Sequence, residues 1–96
     1  MGYRIIEIEL PEEAQSGVHF EGVIKYTADE AAELRVRARI SSSFDVAPRS
    51  SPLPPAREAG EQRVELTVTQ KDAETWCQIE FELEGDTRTR SVEVKR

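Results

Sequence analysis

The chain has one cysteine, one histidine and no asparagine among its 96 residues. A single cysteine excludes an internal disulfide. Without asparagine there is no N-glycosylation sequon. One histidine with one distant cysteine supplies neither a hydrolytic triad nor a zinc site. The acidic residues include no Asp-x-Asp-x-Asp run of the kind that builds a calcium loop, and no phosphate-cradling glycine loop is present. No apolar run approaches about 18 residues and no signal peptide opens the chain, so the expectation is a cytoplasmic protein without a membrane anchor. Aromatic residues make up only 6%. That is few for a carbohydrate-binding module, which needs several exposed rings to stack on sugars.

Charge is what the chain has in quantity. Charged residues are 33% of the total, with a net charge of −6. An acidic balance disfavours nucleic acid and anionic membrane as partners. The sign alternates along the chain: residues 1–34 carry −6, 35–58 carry +3, 59–84 carry −5 and the last twelve +2. Such alternation suits pairing between strands. Arginine outnumbers lysine by ten to three. With asparagine absent, this usage suggests a GC-rich bacterial genome. A chain of this length makes one domain, 1–96, with a modest core that buries about 60–65% of the unfolded surface.

Two segments are complementary. Glu33 to Ile40 alternates strictly, with Leu34, Val36, Ala38 and Ile40 apolar and Arg35, Arg37 and Arg39 between them. Cys77 to Glu84 alternates too, with Cys77, Ile79, Phe81 and Leu83 apolar and Glu80, Glu82 and Glu84 in polar slots. Period-two alternation predicts half-buried strands, and opposite charges facing each other suit antiparallel neighbours. A helix over 33–40 is excluded, because its apolar residues would wrap around the axis.

Further strands are expected over 3–10 (Ile6, Ile8 and Leu10 inward), 18–26 (Val18, Phe20, Ile24 and Tyr26 sharing a face), 62–69 and 87–95. Gly22 interrupts the second of these and marks a bulge or a close backbone approach. Thr27-Ala28-Asp29-Glu30 matches a capping box and predicts one helical turn through Ala32. Phe44 and Val46 keep the parity of the Arg strand and predict a short strand past a kink. Residues 47–60, with four prolines, read as a proline-rich surface loop. Within it Pro52 to Arg57 fits the PxxPx(Arg/Lys) pattern bound by SH3 domains, although a stiff connection is the plainer reading.

Six to seven strands with regular turns and almost no helix predict an all-β fold. The leading form is a small two-sheet antiparallel β-sandwich with an immunoglobulin-like Greek key, and the alternative an OB-like small barrel. Asp72-Ala73-Glu74-Thr75-Trp76-Cys77 resembles the sixth-strand segment Asp-x-Ala-x-Tyr-x-Cys of immunoglobulin domains. It is one residue short, and the chain lacks the partner cysteine in the second strand and the tryptophan in the third.

No pattern assembles a catalytic site. His19 falls on an outer face beside Glu21, Cys77 on an inner one, and the carboxylates lie in turns or on an open face, where no pocket shifts a pKa. The expectation is a noncatalytic module binding a protein partner or a second copy of itself, with no cofactor and no metal. The contact surface is placed on the sheet face bearing Trp76, Arg35, Arg37, Arg39, Glu80 and Glu82, since an outward tryptophan is a frequent interface anchor. The rival position for Trp76 has its ring folded over the end of the sandwich. The alternatives are a carbohydrate-binding sandwich and, third, a small enzyme or toxin.

Overall fold

The computed structural model describes residues 2–39 and 43–96, and these are all-β. Nine strands are present: β1 (Tyr3–Glu9), β2 (Glu13–Gln15), β3 (Phe20–Ala28), β4 (Ala32–Ala38), β5 (Phe44–Ala47), β6 (Ser50–Leu53), β7 (Ala56–Gln70), β8 (Trp76–Leu83) and β9 (Asp86–Lys95). They form a four-stranded sheet, β1-β3-β7-β5, packed against a five-stranded sheet, β2-β9-β8-β4-β6. All pairings are antiparallel except β2 with β9. The expected six to seven strands become nine because two short segments, β2 and β6, gain ladders that their own sequences do not announce.

Alternation does most of the work. Leu34 and Val36 on β4, Val64, Leu66 and Val68 on β7, Cys77, Ile79, Phe81 and Leu83 on β8, and Val92 and Val94 on β9 are all buried between the sheets. No polar or charged side chain among the described residues joins them. The β8–β9 hairpin closes through Glu84 and Gly85, both at positive φ, which matches the twist of the flanking strands.

The first strand departs from the expected parity. Ile5 and Ile8 are buried, while Ile6 is 44% exposed. A bulge between Ile5 and Glu7 leaves Ile6 without a register partner on β3, so the inward face switches from odd to even positions. Phe20, expected in the core, is only half-buried at the start of β3. Val18, placed on the same inward face, lies before β3 and is exposed. The capping box yields no helix: β3 runs to Ala28, and a bend at Asp29-Glu30 turns directly into β4. Both segments carry buried residues that β pairing secures, which outweighs one turn of local propensity. Gly22 makes room for a side chain rather than for a bulge or a closely approaching backbone, the Glu9 carbonyl oxygen lying 3.4 Å from a Cβ placed there. A Cβ there would lie 2.6 Å from Leu10 Cδ2.

Residues 47–60 are the largest correction. They hold β6 and the beginning of β7. Leu53 is buried, and the buried Tyr26 hydroxyl donates to the Pro54 carbonyl at 2.7 Å. The chain crosses here from one sheet to the other. β5 pairs with β7 at the edge of the four-stranded sheet, and after Pro48 and Arg49, β6 pairs with β4 at the edge of the five-stranded sheet. The Val36 N–H donates to the Arg49 carbonyl at 2.8 Å and secures the landing.

Candidate functional site

β4 and β8 carry the expected ladder. Arg35 lies across from Glu82 and Arg37 from Glu80, and the Arg39 N–H donates to the Gln78 carbonyl at 2.8 Å. Arg37 Nε donates to Glu80 Oε2. Opposite charges facing each other across adjacent strands, the Arg exposed and the Glu half-buried, act mainly on register.

Trp76 opens β8 on the same outer face, opposite Glu93 of β9. It is 58% exposed, the largest value for any large apolar side chain described. Parity along β8 sends Cys77 inward and Trp76 outward. The six residues expected at the contact surface thus share one face but form two groups. Arg35, Arg37, Glu80 and Glu82 cluster, whereas Trp76 stands four residues from Glu80, roughly 13 Å along the strand. Arg39 falls between them.

The clustered group borders a groove of about 440 Å³ between β4 and β5. Its other wall includes Phe44, Asp45, Arg49 and Lys71. Lys71 Nζ lies 3.2 Å from Asp45 Oδ1. Arg35 and Arg49 have no carboxylate within 4.0 Å among the described residues, so the groove presents two guanidinium groups without an ionic partner. Sequence reasoning missed Arg49 and Lys71. The parity of Phe44 and Val46 announced a strand, but nothing local shows that this strand crosses between sheets and brings distant cations onto the Arg35 wall.

The potential nucleophile and base lie apart. Cys77 is fully buried, and desolvation pushes its thiol up to about 11. His19 sits at the other sheet, with Nδ1 2.7 Å from Thr67 Oγ1. No group of three metal-ligating side chains occurs among the described residues. No described helix is long and apolar enough to cross a membrane. Pro52 to Arg57 is not a free proline motif, since it is divided between β6 and β7 and tied to Tyr26.

No protein-family model matches the chain, and comparison with curated proteins returns no match.

Proposed function

We propose that the domain is a noncatalytic protein-interaction module of immunoglobulin-like topology that binds a protein partner through the outer face of the five-stranded sheet around Trp76. The sheet order β1-β3-β7-β5 over β9-β8-β4 supports the topology, because it follows the ABED and GFC arrangement of immunoglobulin sandwiches. One observation carries the function: an outward tryptophan, more than half exposed, on a rigid strand of a continuous sheet. A rigid indole desolvates a large area at low entropic cost. The flanking Arg and Glu rows would supply a polar rim that steers association. The buried Cys77 thiol and the separation of His19 from it support a noncatalytic role. A sugar-binding platform draws less support, since Tyr26 is buried and Tyr3 half-buried.

The test is site-specific photocrosslinking in the source cells. A photoreactive side chain at Gln78, beside Trp76, should give one dominant adduct that Trp76→Ala removes. The same group at Arg4, exposed on β1 of the other sheet, should not give that adduct. Equal adducts from both positions, or insensitivity to Trp76→Ala, would move the contact surface elsewhere.

A further inference from the structure

Every sheet edge is a row of backbone donors and acceptors that can capture another strand, so edges are usually blunted. Most edges here are. On β1 the bulge at Ile6 interrupts the row, and two β9 side chains occupy the edge groups of Ile5. The Ile5 N–H donates to Asp86 Oδ2 at 2.7 Å, and Arg88 donates to the Ile5 carbonyl at 3.3 Å. β2 is three residues long, and β6 contains Pro52, which has no N–H. β5 is four residues long and ends against Pro48.

One stretch is left open, and the crossing strand creates it. β5 covers β7 only from Thr67 to Gln70, because past Ala47 the chain departs for the other sheet. β7 continues for eleven more residues with β3 on one side and no paired strand on the other. The direction of its backbone groups follows from bonds nearby. The Val68 carbonyl accepts from the Gly17 N–H, and the Gln70 N–H donates to Ser16 Oγ, so even residues face the β3 side. The Lys71 N–H donates to the Ser43 carbonyl, so odd residues face the β5 side. Alternation then directs the N–H and C=O groups of Glu61, Arg63 and Glu65 to the open edge, where the Arg63 carbonyl accepts only a long bond, 3.4 Å, from the exposed Gln62 Nε2. No proline interrupts this span. Beside it lies a groove of about 450 Å³ bordered by Ala47, Pro48, Pro52 and Val64.

The side chains specify what would fit. A strand continuing the line of β5 would place every second side chain over this groove, against Val64 and the prolines, where small apolar groups suit. The intervening side chains would stand across from Glu61, Arg63 and Glu65 on the outer face. Glu65 has no ion pair among the described residues. Glu61 shares Lys25, at 3.7 Å, with Glu7 and Glu9, and Arg63 is paired with Glu21 at 3.3 Å. The uncompensated charge at this edge is negative.

We propose that the Glu61–Glu65 edge of β7 is a strand-addition site for an extended peptide segment of a partner protein, in which basic and small apolar side chains alternate. The site is separate from the Trp76 face.

The probe is the blocked peptide Thr-Lys-Val-Thr-Val-Lys-Thr, titrated into ¹⁵N-labelled domain. Chemical-shift changes should centre on residues 61–67, and the amides of Glu61, Arg63 and Glu65 should exchange about tenfold more slowly at saturation. N-methylation of the central Thr removes a donor aimed at β7 and should weaken binding about tenfold, while N-methylation of a Val should leave affinity within about threefold. Glu61→Lys with Glu65→Lys should weaken binding about tenfold or more, and Trp76→Ala should not change it. The proposal is overturned by no shift at about 1 mM peptide, or by shifts centred on the β4–β8 face. It is equally overturned by equal effects of the two N-methyl positions, or by a β7-mediated dimer of the domain that excludes the peptide.

Discussion

The β4–β8 ladder and the β5–β6 crossing strand lie side by side on the molecule and were formed by different kinds of information. In the ladder, each residue states its own place. Leu34, Val36, Ile79 and Phe81 alternate with charges of opposite sign on the two strands, so register and facing can be read residue by residue. The crossing strand has no such code. Four residues pair with β7 and four with β4, and the switch at Pro48 and Arg49 depends on what two different sheets leave unpaired. The ladder builds a rigid platform. The crossing builds concavity, because wherever the strand leaves one sheet it exposes a half-edge and a groove beside it.

The largest expected effect tests the ladder. Phe81 is fully buried at the centre of β8, so Phe81→Ala should cost about 3–5 kcal/mol, enough to unfold much of a domain this small. Chemical denaturation measures it, and an unchanged midpoint would place Phe81 outside the core. The next effect tests the crossing. If residues 47–60 were a surface connection, Leu53→Ala would be nearly neutral. Since Leu53 is buried beside the Tyr26–Pro54 bond, the substitution should cost about 2–4 kcal/mol by the same measurement.

These two positions also show how far the sequence could be read. Phe81 was legible because alternation places it inward whatever its partner strand. Leu53 was not: prolines at 52, 54 and 55 give the segment the composition of a loop, and its burial depends on a ladder with β4 that only the fold supplies. Ile6 failed for a related reason. A bulge is a property of the paired strands, and one extra residue reverses every later parity. At the candidate site the Arg–Glu cluster and the outward Trp76 were legible from parity, whereas Arg49 and Lys71 reached the groove through the crossing and the turn after β7.

The smallest effect concerns pH at the start of the crossing strand. Ser43 Oγ donates to Asp72 Oδ2 at 2.6 Å, and the Glu74 N–H donates to Oδ1 at 2.8 Å. The first of these bonds, then the second, holds the Asp72 carboxyl below its ordinary range. A lowered pKa in the folded state contributes stability above the unfolded pKa, near 4, and that contribution is lost as pH falls through the folded value. Below about pH 4, therefore, amides around Phe44 to Val46 should exchange slightly faster relative to those of β8 than at pH 7, and Asp72→Asn should remove the pH dependence of that ratio. A ratio constant with pH would show that Asp72 does not fasten β5.

Whether Trp76 anchors the interface is decided by the Trp76→Ala variant, measured for affinity toward the crosslinked partner and for thermal stability in the same preparation. Truncating an anchoring tryptophan typically costs 2 kcal/mol or more. For an outward anchor, affinity should fall about thirtyfold while the melting temperature stays within about 2 °C of the parent. Unchanged affinity would remove Trp76 from the contact surface. An unfolded variant would assign the ring to the core.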